Sequence, residues 1–225
     1  MLLLLGRCSS PADVASLSLA RAALLEDNIV YLRVGQIGNG LADEISSANS
    51  AVAGTNKIIG TVLDLRSARG SDVANLKSTT DLFSTKKLPL TILVNADTQG
   101  TATALASRLR QSRLGLIFGA PTLGLKPDIT VTVDATSEKI FLQDPYALSP
   151  TNDISNLTAT NDLLPYVDHT SEAELVHERR KDGADDDMPP VSPRAEPPRP
   201  VIHDPVLARA VDLIKGLAVM RASRS

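Results

Sequence analysis

The chain has 225 residues, of which 43% are hydrophobic and 22% are charged, and its formal net charge is −3. These values are ordinary for a globular protein with one domain, or with one domain and a tail. Lys and Arg are scattered, Trp is absent and only 3% of the residues are aromatic, so nucleic acid is not an expected partner.

The N-terminal region carries weak signals. Cys8 is the single cysteine, so we expect no intrachain disulfide and no cysteine-cluster metal site. Residues 1–8 (MLLLLGRC) resemble the end of an export signal, but they lack a basic start and a long apolar run. No stretch approaches the ~18 apolar residues of a membrane span. We expect residues 1–27 to form a tail, with a short helix or connecting segment over Pro11 to Leu25.

From residue 28 onward, strand and helix patterns alternate. Apolar runs rich in β-branched residues predict strands at 28–34, 57–66, 91–95, 114–118 and 129–134. Amphipathic spacing predicts helices at 41–52, at 72–83 and from a cap at Asp97 or Thr98 onward. Ile140 to Leu142 is interpreted as a short strand. This alternation predicts an α/β fold.

Two polar features in this region have plain structural interpretations. Asp64 and Arg66 lie two residues apart at a strand end, so they share a face and favour an ion pair over catalysis. The glycine-rich turn Gly35 to Gly40 lacks the Gly-Lys-Ser/Thr ending of a phosphate-binding loop. We therefore expect no nucleotide and no other cofactor.

The C-terminal third is less regular. Residues 145–165 are loop-like, and 171–181 predict a charged helix with a capping box. Residues 182–203, rich in Pro and Asp, predict a disordered linker. The three histidines, His169, His177 and His203, do not have the spacing of a helical metal pair, so no metal site is expected.

Asp204 and Pro205 predict the start of a last helix that continues to about Arg221. Its apolar stripe requires a partner surface. The predicted stripe consists of Val206, Ala210, Leu213, Leu217 and Met220.

Six segments, in this order, resemble the core of the S41 family of C-terminal-processing (tail-specific) serine peptidases. They are YLRVGQIGNGLADEI, VLDLRSARGS, LVNADTQGTATALASRL, IFGAPTLG, GLKPDITV and DPVLARAVDLIKG. The resemblance covers Asn28 to Asp134 and the last helix. It implies a crotonase-like spiral of ββα units, serine-type proteolysis in the ancestry of the chain, and a periplasmic or cell-envelope location.

The chain departs from the family pattern at the residues that carry its chemistry. The position of the serine nucleophile is occupied by Gly100, and that of the lysine base by Leu125. Lys126 is adjacent, but in an extended segment it points to the other side. Gly70 is what remains of the turn that supplies an oxyanion donor in the family. The resemblance therefore implies that Gly70 and Gly100 form a vestigial oxyanion site and groove.

The chain is also shorter than the family pattern. In the family, a β-rich segment separates the counterparts of GAPTLG and GLKPDITV, whereas here the two motifs share Gly124. The substrate-gating PDZ module, which precedes this core in the family, is likewise not expected. We therefore expect a truncated crotonase-like core at 28–181, a linker at 182–203 and a C-terminal helix at 204–225. That helix is expected to cover Ile117, Phe118 and the 129–133 strand; loop 145–165 or another subunit are alternatives.

The first functional hypothesis is a degenerate peptidase-like domain that binds a peptide or protein, or acts as a scaffold. The alternative is a divergent tail-specific peptidase with residual activity, in which Thr98, Thr101 or Thr103 replaces the serine and Lys126 acts as base. A third possibility is a fragment without independent function. The sequence does not identify the peptide, the partner or the oligomeric state.

Overall fold

Residues 18–148 and 200–223 are described by the computed structural model of the chain. Six strands of this part form a mixed sheet in the order β1-β2-β4-β6-β7-β8. They are β1 (Leu19–Leu25), β2 (Ile29–Val34), β4 (Gly60–Asp64), β6 (Leu90–Val94), β7 (Gly115–Gly119) and β8 (Ile129–Thr130). All neighbouring strands are parallel except β1, which runs antiparallel to β2 at one edge.

A small two-stranded parallel sheet lies beside the main one and consists of β3 (Gln36–Ile37) and β5 (Arg69–Gly70). The helices of the described part are α1 (Leu41–Ala53), α2 (Leu76–Lys86), α3 (Thr101–Gln111), α4 (Ala135–Gln143) and α5 (Pro205–Ala222). The predicted α/β class is therefore confirmed as a mostly parallel sheet with helices. None of the described helices is both long and apolar enough to cross a membrane.

The central strands are buried on both faces. Every residue of β4 and of β6 is buried, as expected for parallel strands covered by helices. Alternate side chains then enter two separate cores. Leu63, Ile92 and Ile117 pack in the core that includes residues of α1, α2 and α3, whereas Val62 and Phe118 pack in the core that includes residues of α5.

Helix α5 covers the second face of the sheet, as predicted, but through a different stripe. Leu207, Val211 and Ile214 are buried there together with the predicted Val206 and Ala210. Phe118 belongs to this core, and Val131 and Val133 pack against it. Ile117 does not belong to this core. Its side chain points into the other core, because neighbouring residues of a strand face opposite sides of the sheet. Met220 of the predicted stripe is 54% exposed.

Several sequence predictions are wrong in detail. Pro11 to Leu25 was expected to be helical or connecting, but from Leu19 it is the edge strand β1, held by its pairing with β2. Ile140 to Leu142 is helical, because Asp134 caps α4 by accepting from the N–H groups of Thr136 and Ser137.

Two other predictions need new boundaries. Helix 72–83 begins instead at Leu76, and Val73 is 65% exposed. Of the predicted strand 129–134, Ile129–Thr130 pairs with β7. The predicted helix at 171–181, most of the predicted loop 145–165 and most of the predicted linker 182–203 lie outside the described residues.

A buried ion network joins the centre of the sheet to α5. Arg66 follows β4 and is 2% exposed; its Nη2 lies 2.8 Å from Asp64 Oδ2, and its Nη1 lies 2.7 Å from Asp204 Oδ2. Tyr31 on β2 donates its hydroxyl to Asp64 Oδ2 at 2.7 Å. Asp204 also caps α5, since its Oδ1 accepts from the N–H groups of Val206 and Leu207. One aspartate thus starts the helix and fixes it to the sheet.

The network also sets the ionisation of its members. Burial alone would raise the pKa of the Asp64 carboxyl, but the Arg66 guanidinium and the hydrogen bonds from Arg66 and Tyr31 hold it below its usual range. Burial and the Asp64 charge raise the pKa of the Tyr31 hydroxyl well above its usual range. At neutral pH, Asp64 is therefore ionised and Tyr31 is a neutral donor.

Asp204→Asn should destabilise the protein strongly. Asparagine keeps a capping oxygen but removes the negative charge, so it leaves Arg66 less compensated in the interior; breaking a buried pair costs about 3–5 kcal/mol. Asp204→Ala should cost about 1 kcal/mol more, because the cap is lost too. Urea unfolding measures both values, with Asp212→Asn on the exposed side of α5 as the control. Equal midpoints for wild type and Asp204→Asn would contradict the role of this pair.

Acid unfolding should depend on Asp64. Its pKa in the folded state is below the unfolded value of about 3.9, so its contribution to stability is present above that value. The contribution is lost as the pH falls through the folded-state pKa. The free energy of unfolding of wild type should therefore decrease more steeply from pH 5 to pH 2 than that of Asp64→Asn. Parallel curves for the two proteins would exclude this contribution.

Candidate functional site

The site predicted by the sequence lies at the carboxyl ends of β4 and β6. The turn 65–70 follows β4, and the turn 95–100 follows β6. Backbone and side-chain hydrogen bonds join them: Gln99 N donates to the Ala68 carbonyl at 3.1 Å, and Ser67 N donates to Asn95 Oδ1 at 2.9 Å. In open α/β sheets, this edge is where ligands usually bind.

Thr98 braces the two turns from inside. It is 1% exposed, its Oγ1 accepts from Asn95 N at 3.0 Å, and the same oxygen lies 3.0 Å from the Leu65 carbonyl. It was expected as a helix cap, but α3 begins at Thr101, and the N-cap residue Gly100 provides no side-chain hydrogen bond. Asp97 is not the cap either. The Thr98 hydroxyl instead links the two turns through its hydrogen bonds.

Gly70 and Gly100 are in direct contact. Gly100 has φ +62° and ψ −129°, a conformation that L-residues rarely adopt. A Cβ atom built on Gly100 would lie 2.3 Å from the Gly70 carbonyl oxygen, and one built on Gly70 would lie 2.3 Å from Thr101 Oγ1. Both positions therefore require glycine for steric reasons. At position 100, the space for a side chain is filled by a backbone carbonyl.

The candidate threonine nucleophiles differ in their surroundings. The hydroxyls of Thr98 and Thr103 are engaged, the second by donating to the Thr98 carbonyl at 3.2 Å. Thr101 Oγ1 is buried and has no hydrogen-bond partner among the described residues. This oxygen lies next to Gly70, since a Cβ atom built there would be 2.3 Å from it. The structure thus leaves Thr101 as the one candidate of the three whose hydroxyl is unpartnered within the described part of the chain.

Neither the residue at the position of the family's base nor the candidate base Lys126 is brought to these hydroxyls. Leu125 is 3% exposed and packs in the core, and Lys126, the next residue, is exposed. Two backbone hydrogen bonds of 3.1 Å between Thr122 and Leu125 close a tight turn here, with Gly124 at φ +77°. Within the described residues, no hydrogen bond or ion pair joins the Lys126 ammonium to a threonine. The junction at Gly124 is therefore a compact turn.

A groove of about 500 Å³ lies in front of these turns. It is lined by Thr98, Gln99, Gly100, Thr103, Ala104, Ser107 and Leu123. Leu123 stands at the tip of the tight turn and is 95% exposed, whereas the rest of the lining is small or polar. Within the described residues, no group of three or more His, Cys, Asp or Glu side chains could hold a metal ion.

Glu138 is a polar residue of this edge that the sequence analysis missed. Burial raises the pKa of its carboxyl, and the charges of Asp97 and Asp204 add to the rise, while a hydrogen bond with Asn95 and the Arg66 charge oppose it. The interpretation of Ile140 to Leu142 as a strand gave no helix on which to place Glu138. Glu138 follows the capping Asp134 by four residues, and that cap was the available signal.

Comparison with known proteins gives limited similarity. No protein-family model and no curated protein matches the chain. Among solved structures, it is similar to a photosystem II D1 C-terminal processing protease, with TM-score 0.38, 17% identity, and coverage of 51% of this chain and 46% of that chain. A lipoprotein from Streptococcus agalactiae gives TM-score 0.33 and 16% identity, with 45% of this chain and 49% of that chain covered.

A third structure, a protein from Parabacteroides merdae ATCC 43184 provisionally assigned as a peptidase, gives TM-score 0.39 and 11% identity. Here 54% of this chain and 60% of that chain are covered. The chain thus spans about half of the length of these structures. At such TM-scores and identities, the similarity concerns part of the backbone and says nothing about activity.

Gly100→Ala should destabilise the protein by at least about 2 kcal/mol, because it adds a strained positive φ to a clash with the Gly70 carbonyl. Gly216→Ala is the matched control. Gly216 lies within α5, and a Cβ there would meet nothing within 4 Å, so alanine should stabilise by about 0.5–1 kcal/mol. Thermal or urea unfolding gives both values. A tolerated Gly100→Ala would mean that the Gly70–Gly100 contact is not rigid.

Proposed function

We propose that this chain is a peptidase-like domain, with a truncated crotonase-like core, that binds a peptide or protein segment without cleaving it. The six ordered motifs support the peptidase-like part. The observation that carries the second part is the backbone at position 100. There, glycine has φ +62° and faces the Gly70 carbonyl at a distance that leaves no room for a serine side chain.

The electrostatics of that contact also oppose catalysis. Acyl transfer needs hydrogen-bond donors directed at the oxygen of the reacting carbonyl. Here the atom of Gly70 nearest to a side chain at position 100 is its carbonyl oxygen, an acceptor, at 2.3 Å, whereas its nitrogen is at 3.8 Å. The contact therefore presents an acceptor, and not a donor, to position 100. The buried Leu125 at the position of the base adds a second deficit.

The groove in front of the two turns supports peptide binding. Its volume of about 500 Å³ falls within the usual range for ligand sites of about 300–1,000 Å³. The exposed Leu123 offers an apolar contact, and the hydroxyls and amide of Thr103, Ser107 and Gln99 offer polar contacts. We propose that a short extended peptide lies along this groove.

One observation favours the second candidate function, a divergent peptidase with residual activity. Thr101 Oγ1 is buried next to Gly70 and has no partner among the described residues. A nucleophile also needs a base within hydrogen-bond distance. Lys126, the proposed base, is exposed, and its carbonyl accepts from Arg110 at 2.7 Å. We therefore place this function second.

Two reactions with a fluorophosphonate probe separate the two functions. The wild-type chain should remain unlabelled, because a domain that only binds its peptide has no activated nucleophile. Gly100→Ser should also remain unlabelled and should be less stable than wild type. Labelling of wild type that maps to Thr98, Thr101 or Thr103 by mass spectrometry would overturn the non-catalytic proposal and establish the second function.

Binding is tested on an array of short peptides incubated with the full chain. Leu123→Asp should reduce the signal of the peptides that bind, since it replaces the large apolar side chain of the groove lining with a charge. Leu148→Asp is the matched control, because Leu148 is 72% exposed and is not among the residues that line the groove. Equal signals for wild type and Leu123→Asp would remove the groove as the binding site.

A further inference from the structure

A second groove lies at the amino-terminal ends of the parallel strands, where β6 and β7 begin. It has a volume of about 460 Å³ and lies between α5 and the C-terminal ends of α2 and α3. Four of its lining residues are cationic and none is acidic: Lys87, Arg110, Arg113 and Arg221. The remaining wall is largely apolar, with Phe83, Leu88, Leu114, Leu116, Leu213 and Leu217. We call this surface the basic groove.

Two of the cations occupy backbone positions that favour glycine. Lys87 directly follows α2 with φ +48°, and Arg113 follows the cap residue of α3 with φ +56°. Around Arg113, the bonds Arg113 N to Arg110 O at 2.9 Å and Leu114 N to Leu109 O at 3.0 Å form a Schellman motif. Glycine is the usual residue in this conformation, so each cation is held there against a local backbone preference.

No described residue neutralises the same two cations. Among the residues that the structure describes, neither the Lys87 nor the Arg113 side chain makes a hydrogen bond or an ion pair, and both are exposed. Arg110 differs, because its Nη1 donates to the Lys126 carbonyl at 2.7 Å and lies 3.6 Å from Asp128 Oδ1. Within the described part of the chain, the basic groove therefore presents at least two cations without a charged partner, next to apolar walls.

We propose that the basic groove binds an acidic peptide segment of a partner protein, with carboxylates at Lys87 and Arg113 and apolar side chains against Leu213 and Leu217. Charge complementarity selects the carboxylates, and the leucine-rich walls select a peptide that also carries apolar residues. A nucleic acid fits less well, because the groove provides one aromatic ring, the buried Phe83, for base stacking. This surface is separate from the groove at Gly100.

A purely structural role for the two cations is the competing explanation. A positive charge near a helix C-terminus interacts favourably with the helix dipole. That role predicts loss of stability when the charges are removed. Glycine at the two positions, however, relieves the unfavourable φ while it removes the charge. The double variant Lys87→Gly, Arg113→Gly should therefore remain as stable as wild type and bind the acidic peptide more weakly.

The test measures fluorescence anisotropy of a labelled peptide, Leu-Asp-Glu-Leu-Asp-Asp-Leu, with the full chain. Wild type should bind it in 50 mM NaCl and should bind more weakly in 500 mM NaCl, as expected for exposed charges. The double glycine variant should bind roughly tenfold more weakly, the loss of two charge-assisted contacts. Lys77→Gln, Arg209→Gln removes the same net charge at exposed positions outside the groove and should bind like wild type.

Four results would overturn the proposal. They are absence of binding to wild type, equal binding of a peptide with Lys in place of every acidic residue, equal weakening in the Lys77→Gln, Arg209→Gln control, and displacement of the peptide by oligo-dT at a lower concentration than by unlabelled peptide. Leu123→Asp should leave this binding unchanged, so failure at one groove is distinguishable from failure at the other. Urea unfolding of the double glycine variant checks that the loss of binding does not arise from unfolding.

Discussion

The buried guanidinium of Arg66 is the constraint on which the rest of the structure depends. It follows the central strand β4, lies against Asp64 on the same strand, and reaches Asp204 at the start of the last helix. Removing a cation of this kind from water is costly unless its partners are well placed, and here two carboxylates surround it. The arrangement fixes the strand, the turn that leads to Gly70, and helix α5 relative to one another.

The parts of the fold that could be predicted are those in which local pattern and tertiary environment agree. The segments that form β4 and β6 are apolar and too short for helices. Their burial as central parallel strands agrees with this local pattern. The amphipathic α1 and the Asp204–Pro205 start of α5 were also predicted correctly. By contrast, β1 is alanine- and leucine-rich, and its strand conformation comes from pairing with β2, which the local sequence does not encode.

The residues of the candidate site could be named from the sequence, but their geometry could not. The order and spacing of the motifs identified Gly70, Gly100 and Leu125, because a substitution changes the residue at a position but not the distance between motifs along the chain. It did not indicate that the Gly70 carbonyl fills the place of a side chain at Gly100, since that depends on two φ/ψ values. Likewise, Asp204 was predicted as a cap, but its ion pair with Arg66 joins residues far apart in the chain and has no local signal.

The position of α5 in the chain has a consequence for biosynthesis. This helix closes the apolar face formed by Val62, Leu93 and Phe118, yet it follows all the described strands in the chain and so leaves the ribosome after them. Contacts between such distant segments form late, because the entropy of closing a long loop must be overcome first. The sheet is therefore synthesised with one face open to water, and during that interval the nascent chain is exposed to aggregation and to chaperones.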